Sequence, residues 1–150
     1  AIKRIRNEEE HVWTRRKKTK KVKFIMKITY NAENVFAKII RGEIPSDVVY
    51  ESDHSLAFKD VNPRAKVHVL VIPKKSYINF SDFSSKASQA EKIDIFESII
   101  RVAEKENLID EGYRVLTNCG ENGHQEVQHL HFHILGGQPL GSFIKKLDIT

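Results

Sequence analysis

The chain has 150 residues, 40% of them hydrophobic and 30% charged, which suits one domain with a buried core and excludes wholesale disorder. No apolar run approaches the ~20 residues that cross a bilayer, and none follows the basic start, so neither a membrane span nor a secretory leader is expected. The single cysteine, Cys119, excludes an internal disulfide and a cysteine-rich zinc site, and makes the cytoplasm the expected compartment.

The net charge of +5 averages two unlike parts. Residues 1–28 carry 11 Lys/Arg against 3 acidic residues, a balance of +8. The other 122 residues carry 14 against 17, a balance of −3. The basic excess therefore belongs to the first segment, and the body is not a nucleic-acid binder by charge. Within that segment "RRKKTKKVK" (Arg15 to Lys23) can contact polyanions, or simply be a solvated tail. Glu8-Glu9-Glu10 are wrong for an acid-poor transit leader. Residues 1–28 are expected to form a flexible extension and residues 29–150 the domain. The only methionine, Met26, stands just before the first regular element, so residues 1–25 are expected to be dispensable for activity.

In chain order, Asn34 can cap a short helix with Phe36, Ile39 and Ile40 on one face, ending at Gly42 and barred from continuing by Pro45. "DVVYES" and "SLAFKD" read as two strands joined by a tight turn at Ser52-Asp53-His54. Asn62-Pro63 marks a loop, and "KVHVLVIP" is a β-branched strand closed by Pro73. "SQAEKIDIFESIIRVAEKENL" is the strongest helix, with Ile93, Phe96, Ile100 and Ala103 as its apolar stripe. "YRVLTN" and "VQHLHFHIL" are two further strands, joined by the loop "CGENGHQE"; the tail after them is loop-like. Short connections between strands favour antiparallel pairing and an α+β body, a sheet covered by helices on one side.

"HLHFHILGG", residues 129–137, carries the chemistry. Alternation along a strand puts His129, His131 and His133 on one face, with Leu130, Phe132 and Ile134 packing on the other. Three histidines in register invite a zinc site, a covalent catalytic site, or hydrogen-bonding roles without chemistry. Same-face neighbours on a strand lie ~6.5 Å apart, so the outer pair stand roughly 13 Å apart at the backbone. That spacing strains convergence on one ion with bonds of ~2 Å and suits a phosphate chain better. Two of the three can still hold zinc with a ligand from elsewhere.

"HLHFHIL" resembles the signature of the histidine triad (HIT) family, and "FAKIIRGEIPS", "LAFKDVNPRAKVHVLVIPK", "GYRVLTN" and "GHQEVQHLHFHILGG" resemble its Hint branch in order over residues 31–141. The resemblance implies a mainly antiparallel five-stranded sheet with two helices, and a homodimer whose sheets join into ten strands. It implies purine nucleoside monophosphate derivatives as ligands and His131 as nucleophile, forming a nucleotidyl-histidine on the way to releasing nucleoside monophosphate. His133, His129, His68 and Glu126 are the supporting catalytic positions. Phe36, Ile39, Phe58, Asp60, Asn118 and Gln125 match nucleotide-contacting positions. The implied activity is a nucleoside phosphoramidase, with a dinucleoside polyphosphate hydrolase or a weakly catalytic nucleotide-binding module as alternatives. No cofactor is required by this chemistry, and bound zinc is not expected to be catalytic. One departure stands out: the family commonly has two glycines before the glutamine, and the second is His124 here. If that position needs positive φ, the loop's conformation is in question.

Overall fold

The structure is a computed structural model and describes residues 28–144. The expectations for residues 1–25, including their flexibility and the basic segment, lie outside the described residues. The elements are α1 (Val35–Ile40), β1 (Val48–Glu51), β2 (Ser55–Lys59), β3 (Val67–Pro73), α2 (Phe80–Lys86), α3 (Gln89–Lys105), β4 (Tyr113–Leu116) and β5 (Phe132–Gly136). Among the described residues no helix is long and apolar enough to cross a membrane.

The five strands form one antiparallel sheet in the order β1-β2-β3-β5-β4. Its two faces bury different residues. On one, Ala57, Val69, Val71, Phe132 and Ile134 pack with Ile95, Ile99, Val102 and Ala103 of α3. On the other, Leu56, Phe58, Leu70 and Ile72 pack with Phe36 of α1. Helices therefore cover parts of both faces, not one side only. The cause is local: α1 is too short to form a layer, yet Phe36 is large enough to close a second small core.

The helix ends follow their caps. The Asn34 side chain accepts from Ala37 N–H at 2.9 Å. Ser88 and Glu91 form a reciprocal capping box that starts α3. Helix α2, which hydrophobic periodicity does not mark, begins where the Asn79 side chain accepts from Asp82 N–H.

With α2 there are three helices among the described residues and not the two expected, and two further sequence expectations are corrected. The buried stripe of α3 is Ile95, Ile99, Val102 and Ala103, whereas Ile93 is 60% and Phe96 63% exposed. Both sets have helical spacing, so periodicity alone cannot choose between them. The last strand begins at Phe132 and not at Val127. Upstream of it the Leu130 N–H donates to Tyr77 O at 2.7 Å, so this stretch is bound to the segment after β3 and not to the sheet ladder.

Candidate active site

Register across β3, β5 and β4 gathers the site. Leu70 lies opposite His133 and His68 opposite Leu135. On the other side Leu116 lies opposite His133 and Arg114 opposite Leu135. Opposed residues share a face, so His68, His133, Leu135, Leu116 and Arg114 line one cavity of about 550 Å³, with Leu70 buried in the small core beside it. Asp60, Asn62, Arg64 and His68 border it from the β3 side. Arg114, Leu116, Asn118, His124 and Glu126 border it from the β4 side, with His131 and His133 between. Phe143 closes one edge, beneath the Arg114 guanidinium 5.4 Å from its ring centre.

The expected residues separate into two groups. His131, His133, His68, Asp60, Asn118 and Glu126 meet at the cavity. His129 does not: it is fully buried, with Nδ1 2.6 Å from the Tyr30 hydroxyl and Nε2 2.9 Å from Pro73 O. The three imidazoles therefore do not form one line over the cavity. Gln125 is also buried, accepting from Gly120 N–H and donating to Ile78 O and Val127 O, so it staples the loop. Phe36 and Phe58 lie in the small core, with the Phe36 ring 5.0 Å from that of His131, and Ile39 packs against it.

Hydrogen-bond partners that can only donate or only accept fix the tautomers. A carbonyl oxygen accepts, so His131 Nδ1, 2.7 Å from His129 O, carries the proton. Its Nε2 is then an unprotonated lone pair. The Thr117 hydroxyl donates to His131 O at 2.8 Å and pins the residue from the other side. His68 Nδ1 accepts from Arg64 N–H at 3.1 Å, so a neutral His68 carries its proton on Nε2 and donates to His133 Nδ1 at 2.8 Å. His133 then bears its proton on Nε2, a buried atom without a partner among the described residues. A buried N–H without a partner at the cavity can donate to an acceptor that enters it.

Burial holds these rings neutral. It lowers His133 to about 4, helped by neighbouring His131 and His68, and lowers His129 to about 4. Burial also lowers His131, against the opposing pull of Asp60 and Glu126. His68 is lowered by burial despite nearby Asp60.

Asp60, His68 and His133 place three potential metal-ligand atoms within 4.8 Å of one another. The Arg64 N–H on His68 Nδ1 works against a metal there. A ring that ligates through Nε2 keeps its proton on Nδ1, which would then face another donor.

The loop before the triad has its own constraints. A Cβ on Gly123 would lie 2.6 Å from Cys119 O, so glycine is required there by contact. His124 adopts φ 56°, the left-handed region that favours glycine. Histidine is among the side chains that tolerate it, at roughly 1–2 kcal/mol.

Arg64, Arg114, Thr117 and Tyr30 were not singled out from sequence. Strand alternation with His133 and Leu135 gives Arg114 away once the β4–β5 register is known; Tyr30 and Thr117 carry no local signal.

The model described as HIT domain matches residues 41–140. The chain belongs to the HIT family. The family match extends to whole relatives. Over 118 residues the chain is 49% identical to an uncharacterised 13.2 kDa HIT-like protein of Azospirillum brasilense, covering 79% of this chain and 97% of that one. It is 43% identical over 112 residues to the purine nucleoside phosphoramidase of Escherichia coli (strain K12), covering 75% and 93%. Among solved HIT structures it is similar to a HIT family hydrolase from Clostridium thermocellum, with TM-score 0.70, 43% identity and coverage of 77% and 99%. A histidine triad protein from Clostridium difficile gives 0.69, 41%, 77% and 100%. The fold is thus the HIT fold.

Proposed function

We propose that this HIT protein is a hydrolase that cleaves the P–N bond of purine nucleoside 5′-phosphoramidates and releases nucleoside monophosphate. One observation carries the proposal: the Nδ1–H of His131 is held by the His129 carbonyl, which leaves Nε2 free at the cavity as a nucleophile. The name of the E. coli relative supports the substrate class.

In this reading His131 Nε2 attacks the α-phosphorus. The P–Nε2 bond forms, the P–N bond to the amine breaks, and the departing nitrogen takes up a proton relayed through Glu126. The His133 Nε2–H donates to a phosphate oxygen as charge grows there. Water then attacks phosphorus and gives a proton to Glu126, which restores the one spent in the first step; the P–Nε2 bond breaks, and the monophosphate leaves with His131 neutral again. His129 acts through its carbonyl and His68 through the tautomer it imposes on His133. Asp60 accepts from the ribose hydroxyls, Asn118 and Gln125 support the phosphate side, and Phe36, Ile39 and Phe58 back the base. No step requires a metal.

The protein works as a homodimer, a reading supported by the exposed Ile93, Phe96 and Ile100 on α3 and by β4 lying at the sheet edge. The lone cysteine supports a cytoplasmic setting. The basic segment Arg15–Lys23 has the charge to contact polyanions and takes no part in turnover.

The test is release of AMP from adenosine 5′-phosphoramidate, compared with a diadenosine polyphosphate at equal concentration. Faster release from the phosphoramidate is expected. A preference for the polyphosphate would move the assignment to dinucleoside polyphosphate hydrolysis, and binding without turnover would leave a nucleotide-binding module.

A further inference from the structure

His124 has no part in the mechanism above, yet it borders the cavity. The sheet order divides that cavity: β3 lies on one side of β5 and β4 on the other. If Asp60 on the β3 side takes the ribose, the leaving group lies over the β4 side, among Arg114, Asn118, His124 and Glu126.

On that side the Glu126 carboxylate is a problem for some substrates. It can relay a proton to any amine, but it repels an amine that itself carries a carboxylate or phosphate. Arg114 is already engaged by Gly141 O and the Phe143 ring. His124 Nε2 lies 3.3 Å from Glu126 Oε1. The backbone that carries the ring is anchored, because the His124 N–H donates to Glu121 O at 2.9 Å with φ at 56°. A glycine here would leave Glu126 without this partner.

We propose that His124 is a specificity residue for the leaving group: by engaging Glu126 it admits phosphoramidates whose amine carries negative charge. This rests on the phosphoramidase reading and deepens it. The pair is largely exposed, His124 by 85% and Glu126 by 67% at the side chain, so the effect is on the small scale of a solvent-exposed contact.

The test compares kcat/KM for two adenosine 5′-phosphoramidates, one of an uncharged alkylamine and one of aspartate. In His124→Gly the ratio of the aspartate substrate to the alkylamine substrate is expected to fall about three- to fivefold. His124→Asn, which tolerates the same backbone but has no ring N–H to place on Glu126, is expected to fall equally. In His124→Gly combined with Glu126→Gln the ratio is expected to recover, since the repelling carboxylate is gone. A ratio unchanged in either single variant overturns the inference while leaving the phosphoramidase reading intact. A wild-type protein that turns over neither substrate removes both.

Discussion

His131 differs from an ordinary buried histidine in what its Nδ1 touches. The His129 carbonyl can only accept, so the proton stays on the inner nitrogen and the outer one meets the cavity. Thr117→Val removes the donor to the His131 carbonyl while nearly keeping the shape. It is expected to cost about 1 kcal/mol in urea unfolding and to lower kcat more than it raises KM. The neutral rings also set a pH dependence. His129 and His133 lie at about 4 in the folded protein and near 6.5 when unfolded. The unfolded chain therefore binds protons first as pH falls. Stability from these two groups is complete above about pH 6.5 and is lost on the way down through 4, at roughly 1.4 kcal/mol per pH unit for each. Urea midpoints at a series of pH values check this; a flat profile from 6.5 to 4.5 would contradict it. The alternation of the histidines was legible in the sequence. Their division of labour was not, since His129 is turned inward by Tyr30 and Pro73, 99 and 56 positions away.

Among the elements, the loop from Asn118 to Glu126 is the least forgiving. Its two positions before Gln125 differ in kind: Gly123 is required by contact with the Cys119 backbone, and His124 by neither contact nor chemistry of the loop. Gly123→Ala is expected to destabilise by about 1–3 kcal/mol and to reduce turnover at least tenfold, because Asn118 and Glu126 sit on the displaced segment. His124→Gly relieves left-handed strain but frees the unfolded chain by a similar amount, so its melting temperature should stay within a few degrees of wild type. Thermal scans of the two variants separate these outcomes. Strand and helix positions were readable from β-branched runs, caps and breakers. The burial of α3 was not, because the helix carries two apolar ridges and only the sheet beneath decides which is covered. The start of β5 was also hidden, since Leu130 bonds to Tyr77 and not to a neighbouring strand.

At the scale of the molecule, the uncovered ridge of α3 is the main unspent feature. Phe96→Glu is expected to convert the proposed dimer to monomers in light scattering at micromolar concentration, with little change in the α3 core, since Phe96 is 63% exposed in one chain. A dimer that persists would place the subunit contact elsewhere. The family and the antiparallel sheet were legible from motifs spread along the chain, whereas the second small core under Phe36 was visible only once α1 had been placed on the sheet. In the proposed mechanism all the chemistry converges on one bond, between His131 Nε2 and the α-phosphorus. The most direct measurement is the mass of the intact protein, quenched in acid-free buffer within its first turnovers of adenosine 5′-phosphoramidate, followed by peptide mapping. The account predicts an adenylyl adduct on the peptide holding His131, absent in His131→Ala; turnover with no adduct, or with full activity in His131→Ala, would contradict it.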